Sequence, residues 1–476
     1  MSLPNFFQTK PLAIGLASVA LAGCVGTRPG APVAATVAPP AAWRGSAGPI
    51  MRIDADWWKG FGDPVLTALV ERALAHNPDI DIAASRVAEA RALARLAHAQ
   101  QTPLVTIGMG ASQARAVVLG QGVDALAAAP QALASYDLNL FGRLSQATAS
   151  ARATLLATQD ARDSVALAVA STTASGYIAL LGLDERVVTT KSTLDARADA
   201  LSLARRRAQA GYTSRLELAQ AEAEYRAAEQ LVPAAELAVT RQENALAILV
   251  GDPPRSIVRG ARLSALRTPA IPDGLPASLL RRRPDIASAE AALVATDRSL
   301  DSARAALLPN ISLTGSAGLA LSTALANPIT LFSAGAGILS PLFDGGRLRA
   351  QVDASAARRD QAAFSYKRTV LGAFREVEDG LASFSRLGEQ QAAVARQVTA
   401  LQTSLRISTN RYREGYAPYL DQLDAQRGLL TAQLVVIQIE TDRLNAVIIL
   451  YQAMGGGWDP RAVAQQSVQS SKRISP

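Results

Sequence analysis

The stretch ISLTGSAGLALS, which occupies residues 311–322, decides the fold class of this chain. Larger apolar residues alternate there with serine, threonine and glycine, so an extended backbone places the two kinds on opposite faces. The same pattern, less cleanly repeated, predicts four strands, at about residues 103–115, 132–142, 309–322 and 330–343. Strands of this kind are typical of membrane β-barrels, although a soluble sheet with one buried face shows the same alternation.

The strands belong to two copies of one layout. The motif NPDI at residues 77–80 recurs 206 residues later as RPDI at 283–286. A Gly-Tyr pair at 211–212 recurs 204 residues later at 415–416. Internal repeats of this length indicate a pseudo-symmetric architecture in which one layout is used twice.

These landmarks divide the body of the chain into segments. A first repeat covers residues 54–253 and a second covers 276–458, and an equatorial segment at 254–275 joins them. A C-terminal tail occupies residues 459–476. Between the first two strands, residues 116–130 are rich in alanine, glycine and valine, and we expect an extracellular loop of unusually low polarity there.

Each pair of strands is followed by two long helical segments. We expect helices at about residues 143–210 and 213–250 in the first copy, and at 347–412 and 418–454 in the second. A helix of some 65 residues is roughly 100 Å long, which is more than a globular helical bundle requires. A seven-residue apolar repeat in the last segment predicts coiled-coil packing between neighbouring helices. Its members are Leu423, Leu430, Ile437, Leu444 and Tyr451.

The number of strands predicts an oligomer. Four strands cannot close on themselves, because even small membrane barrels use about eight. An open sheet edge in lipid leaves unpaired backbone groups, each of which costs several kcal/mol. Several copies must therefore contribute strands to one barrel, and the sequence alone leaves two, three or four copies open.

The N-terminus predicts export and a lipid anchor. Residues 1–23 have the apolar core and the small residues of a signal peptide, and Cys24 follows as the only cysteine of the chain. We expect Cys24 to be acylated; an ordinary signal peptide with an incidental cysteine is the alternative. Val25 follows Cys24 at the position where an inner-membrane retention signal often has aspartate, so it favours the outer membrane. Residues 24–53 are rich in alanine, proline and glycine, and we interpret them as a lipidated flexible tether.

Composition argues against several other functions. The net charge of +8 is spread thinly along an exported chain, so we expect no nucleic-acid partner. His76 and His98 are the only histidines, and the sequence has no Cys/His cluster that could hold a metal. We therefore expect no enzymatic activity, no metal and no cofactor apart from the covalent lipid on Cys24.

Several motifs together resemble one known family. The chain is similar to the TolC-like outer-membrane factors over roughly residues 54–458, and most similar to the NodT/OprM-like lipoprotein branch that serves resistance-nodulation-division (RND) multidrug pumps. The motifs that carry this resemblance are YDLNLFGR at 136–143, RPDI at 283–286, LFDGGR at 342–347, YLDQLDAQR at 419–427 and GGGW at 455–458.

The resemblance implies a fold, a function and partners. It implies a mainly α-helical, internally duplicated chain whose four strands join those of two other copies in a 12-stranded barrel, continued by a coiled-coil periplasmic tunnel. Such a homotrimer, anchored in outer-membrane lipid, would be a passive exit duct working with a periplasmic adaptor and an inner-membrane RND transporter. The alternatives are a duct for type I secretion or metal efflux, or a non-conducting structural or adaptor lipoprotein.

The resemblance also implies a periplasmic gate. It places the gate at Tyr412, Leu420, Asp421, Asp424 and Arg427, close to the turn at residue 415. Around a threefold axis each aspartate becomes a ring of three carboxylates that could bind or filter cations, while leucine forms a plug and arginine an ionic latch. The alternative is ordinary surface pairing of charges three residues apart, worth a few tenths of a kcal/mol.

Overall fold

The computed structural model describes residues 27–44, 53–118, 121–271, 280–323 and 327–459. Seven α-helices and four β-strands lie within these ranges, which confirms the prediction of a mainly helical chain with four strands. In chain order they are α1 Pro64–His76, α2 Pro78–Ala99, β1 Leu104–Val118, β2 Gln121–Asp137, α3 Arg143–Gln209, α4 Arg215–Leu249, α5 Pro284–Ala305, β3 Asn310–Ser322, β4 Ile329–Leu339, α6 Arg347–Arg413 and α7 Tyr419–Ala453.

The chain forms two compact units, and each unit takes residues from both sequence repeats. The first unit comprises the described residues of Met1–Thr36, Ser85–Gln159 and Ser288–Arg368, and it contains the sheet. The second comprises those of Val37–Ala84, Asp160–Ala287 and Thr369–Pro476. The two repeats are therefore interleaved and do not fold as separate halves.

The sheet of the first unit is antiparallel, with the strand order β1-β2-β3-β4. One row of partners across it contains Ile107, Ala132, Ala317 and Phe332, which gives this face an apolar character. Ile107 is 88% exposed and Phe332 is 85% exposed. A continuous apolar face of this kind has no favourable contact with water, so it fits the lipid-facing side of a membrane strand.

The second strand differs from its prediction. The sequence predicted a strand at 132–142 after a loop at 116–130, whereas β2 begins at Gln121 and ends at Asp137. The start was missed because a run of alanines shows no alternation of polarity. The end was missed because Asn139, at φ 49°, begins a turn that its own side chain stabilises by accepting a hydrogen bond from the Leu144 N–H at 2.7 Å.

A proline lies inside this central strand. Pro130 has no N–H to donate, and the register between β2 and β3 omits the pairs at 129 and 130. Opposite this gap, any side chain at Gly318 would collide with the carbonyl oxygen of Pro130. The glycine therefore allows the two backbones to approach closely at the interruption.

The long helices have equal lengths in the two copies. Helices α3 and α6 are 67 residues each, and α4 and α7 are 35 residues each. In the second unit each copy has the same close contact between its long and its short helix. A Cβ atom at Gly176 of α3 would lie 3.0 Å from Leu246 of α4, and one at Gly380 of α6 would lie 2.7 Å from Leu450 of α7. Glycine at these positions lets the paired helices pack tightly.

An 18-residue window of α3 is apolar enough to cross a membrane by composition, but more than half of it is buried inside the protein, as in the core helices of soluble proteins. A second finding revises an expectation from the sequence. The described part of the predicted flexible tether is bound: the Arg44 N–H donates to Glu378 at 2.9 Å, and Trp43 packs edge-on against Phe374.

Candidate functional site

The candidate site lies in the second unit, where α3 turns into α4 and α6 turns into α7. Gly211 and Gly415 both have positive φ, at 77° and 81°, and end the two longer helices. The following tyrosine N–H groups of Tyr212 and Tyr416 each donate to a carbonyl five residues earlier at 2.8 Å. This Schellman arrangement requires a left-handed residue, so glycine fixes both turns.

A small apolar core lies next to the two turns. Tyr412 and Tyr419 are both 2% exposed, and their ring centroids are 5.5 Å apart. All four helices contribute to this core. Its other buried members are Ala200, Leu201, Ala204, Ala221 and Leu423.

Tyr412 connects the second copy to the first. Its hydroxyl donates a hydrogen bond to the carboxylate of Glu217 on α4. Burial of the ring and the hydrogen bond to Glu217 together raise the pKa of Tyr412 to about 12. The tyrosine is therefore a neutral donor throughout the physiological pH range.

Arg207 of α3 also binds the second copy. Its guanidinium lies 4.5 Å from the centre of the Tyr412 ring and donates to the carbonyl oxygens of Tyr412 and Arg413, at 2.9 and 2.8 Å. These carbonyls have no partner within helix α6 because they belong to its last turn. A cation at this end of a helix also interacts favourably with the helix dipole.

A buried carboxylate forms the second connection between the copies. Glu224 of α4 accepts hydrogen bonds from Arg197 of α3 and from Arg427 of α7, with the Arg427 Nε at 3.1 Å. Arg197 also donates to the backbone carbonyl of Glu224 at 2.9 Å. The Glu224 carboxylate raises the pKa of Arg427, which keeps its charge.

The predicted gate residues therefore fall into two groups. Tyr412 and Arg427 reach across to α4 of the first copy, and Arg427 binds Glu224 rather than Asp424. Leu420, which is 50% exposed, and the exposed Asp421 and Asp424 make no such connection. Neither aspartate forms an ion pair with any of the residues that the structure describes. The surface pairing of Asp424 with Arg427 is consequently not formed.

The most deeply buried charged residues of the site were not predicted from the sequence. Glu224 and Arg197 have no distinguishing motif, and the position equivalent to Glu224 in the second copy is Gly428. Only a comparison of the two copies along the whole of α4 and α7 could have pointed to this acid. Cys24, the predicted lipidation site, lies outside the described residues and its acylation stays a prediction.

The chain is similar to known proteins over most of its length. The family model for outer membrane efflux proteins matches residues 69–252 and 275–456. The chain is 34% identical over 457 residues to the pyoverdine export outer membrane protein OpmQ of Pseudomonas aeruginosa, covering 92% of this chain and 95% of that protein. It is 33% identical over 432 residues to the toluene efflux pump outer membrane protein TtgC of Pseudomonas putida, covering 87% and 88%.

A solved structure has the same fold. The open state of the MtrE outer membrane channel of Neisseria gonorrhoeae superposes with a TM-score of 0.78 at 26% identity. The superposition covers 91% of this chain and 98% of that one. The similarity thus extends over nearly the whole length of both chains.

Proposed function

Because the chain belongs to the outer membrane efflux protein family, we propose that it assembles as a homotrimer and forms the exit duct of a tripartite RND efflux pump. It is an outer-membrane channel protein, and the predicted TolC-like fold, outer-membrane location and exit-duct function are confirmed. The single observation that supports assembly is the sheet, whose outer edges have no partner strand among the described residues; three is the number of copies that the family resemblance implies.

The unpaired edges favour closure by neighbouring copies. Within the described ranges, β1 and β4 each have one edge that pairs with no strand, and the backbone donors and acceptors of such an edge cannot stay unpaired in lipid. Pairing β1 of one copy with β4 of the next satisfies both rows. Three copies supply twelve strands, which lies within the range of known outer-membrane barrels.

The site at the helical turns is proposed as the periplasmic gate. In the proposed closed state, the bonds of Tyr412 and Arg427 to helix α4 hold α7 and the end of α6 against the first copy. Leu420, Asp421 and Asp424 are free to face a threefold axis, where they form an apolar plug and two rings of carboxylates. Opening breaks the bonds to Glu217 and Glu224.

Partners and cargo follow from the relatives. OpmQ is named for pyoverdine export and TtgC for toluene efflux, so we propose small organic compounds as the cargo. A periplasmic adaptor and an inner-membrane RND transporter are the proposed protein partners. Acylation of Cys24 is the proposed anchor in outer-membrane lipid.

Deleting the gene and profiling sensitivity tests the proposal. We expect greater sensitivity to dyes, detergents and antibiotics, restored by the parent chain but not by one lacking strands β3 and β4. Greater sensitivity to metals alone would support a metal-efflux duct, and loss of a secreted protein would support type I secretion. An unchanged sensitivity profile together with a monomeric purified protein would contradict the proposal.

A further inference from the structure

Residues 28–36 of the first unit, which we term the N-terminal clasp, lie against helices α5 and α6. Arg28 pairs with two carboxylates of α5, Asp297 at 2.6 Å and Asp301 at 2.9 Å. The two aspartates are four residues apart and therefore lie on one face of the helix. The clasp is thus fixed to α5 by charge.

Helix α6 binds the same segment through a buried arginine. Arg359 is 2% exposed, and its guanidinium donates to the carbonyl oxygens of Pro29 and Gly30 at 3.1 and 2.8 Å. It also pairs with Asp360 at 2.7 Å and lies 3.8 Å from Asp297. A guanidinium has five donors, and leaving some of them buried without an acceptor is costly. The clasp supplies two of the acceptors.

Two further observations show that the clasp is bound at several points. Asp297 is shared, since it faces both Arg28 of the clasp and Arg359 of α6. Further along α6, the Lys367 ammonium donates to the carbonyl oxygen of Ala34 at 2.7 Å. Backbone carbonyls of the clasp accept three of these bonds, so α6 binds the backbone of the clasp while α5 binds its charge.

The two helices that the clasp joins flank one hairpin. In the sequence α5 leads directly into β3, and β4 leads into α6. We propose that the N-terminal clasp is an intramolecular ligand of helices α5 and α6, and that it holds together the two helices that carry the β3–β4 hairpin. Residues 28–36 are therefore a structural part of the body, with a role beyond tethering.

The clasp also restricts the position of the membrane anchor, a consequence that rests on the proposed lipidation of Cys24. The contacts of the clasp with α5 and α6 do not depend on that lipidation. Three residues separate Cys24 from Arg28 in the sequence, and the four Cα-to-Cα steps between them span at most about 14 Å. A docked clasp thereby limits how far a lipid on Cys24 can lie from the helices next to the hairpin.

A nitroxide label on the clasp tests its docking in the full-length protein. Val33 is 82% exposed, so Val33→Cys carries the label without disturbing the contacts of the clasp. We expect slow motion of the label in the parent background and a correlation time about tenfold shorter in Arg359→Ala. The matched control is Arg386→Ala on the same helix. Among the described residues this arginine pairs with Glu389 of its own helix and with no other acid, so we expect no change in the spectrum. The same chain without Val33→Cys measures labelling of Cys24.

Hydrogen exchange in the same variants tests whether the clasp holds the hairpin. We expect the amides of β3 and β4 to exchange about tenfold faster in Arg359→Ala than in the Arg386→Ala control. Should Arg359→Ala fail to fold, Arg28→Ala decides, because its side chain is partly exposed and its loss leaves Arg359 paired with Asp360. A fast-moving label in the parent background, or release of the label with unchanged exchange, would overturn the proposal.

Discussion

The two helical hairpins near the candidate gate have the same frame and different chemistry. Helices of 67 and 35 residues, joined at a left-handed glycine, form both of them. The first hairpin, α3–α4, supplies Arg197, Arg207, Glu217 and Glu224. At the positions of the second hairpin equivalent to Glu217 and Glu224 stand Asp421 and Gly428. The repeated glycines build the frame, whereas Glu224 and Tyr412, which bind one hairpin to the other, differ from their equivalents Gly428 and Ala208.

The largest expected effect comes from removing the buried acid. Glu224→Ala leaves Arg197 buried and frees Arg427, and we expect a loss of about 3–5 kcal/mol in the free energy of unfolding. Chemical denaturation of the purified protein measures it. The matched control, Glu222→Ala, removes an exposed acid with only a 3.8 Å ion pair to Arg205, and its cost is below about 1 kcal/mol. Equal effects of the two substitutions would contradict the assignment.

The next effect comes from the tyrosine that only the second hairpin has. Tyr412→Phe keeps the buried ring and removes the donor to Glu217, so we expect a loss of about 1–2 kcal/mol. Tyr416→Phe is the control because Tyr416 is 77% exposed. If both variants unfold at the same denaturant concentration as the parent, the hydroxyl of Tyr412 does not bind the two hairpins together.

The raised pKa of Tyr412 predicts a dependence of stability on high pH. The folded state holds the hydroxyl proton more tightly than the unfolded state, in which the pKa is about 10. The contribution is complete below pH 10 and is lost as the pH rises through about 12. Denaturation between pH 9 and 12 measures it, and we expect Tyr412→Phe to lose less stability over this range than the parent.

We expect substitutions at the two glycine turns to have equal effects on the free energy of unfolding. A Cβ atom at Gly211 or Gly415 would meet no other atom, so Gly211→Ala and Gly415→Ala cost only the left-handed backbone conformation, about 1–2 kcal/mol each. Denaturation of the two variants side by side checks this equality. A clear difference between them would show that the two turns do not share one frame.

The smallest effect on stability is expected for the exposed acids. Asp424→Ala removes a carboxylate that has no ion pair among the described residues, so the free energy of unfolding should change by less than about 0.5 kcal/mol. The same substitution should alter cation block of the channel, because it removes the proposed ring of carboxylates. A large loss of stability together with unchanged cation block would show that Asp424 stabilises the fold and does not form the proposed ring of carboxylates.

These contrasts also show what the sequence could predict. The strong alternation at 311–322 and the glycine at 415 predicted a strand and a turn because each depends on local chemistry. The start of β2 was hidden in a run of alanines, which pack equally well on either face. The bonds of Glu224 and Arg359 depend on which helices become neighbours. No local sequence pattern predicts which helices those are.

Single-channel conductance in planar bilayers tests the central claim most directly. The claim is that bonds between the two hairpins hold an outer-membrane duct closed. The parent protein should conduct weakly, and Arg427→Ala, which frees α7 from Glu224, should raise the conductance several-fold, while the control Arg226→Ala should not. An oligomer that conducts in neither the parent nor the Arg427→Ala form, or that conducts equally in both, would contradict the account.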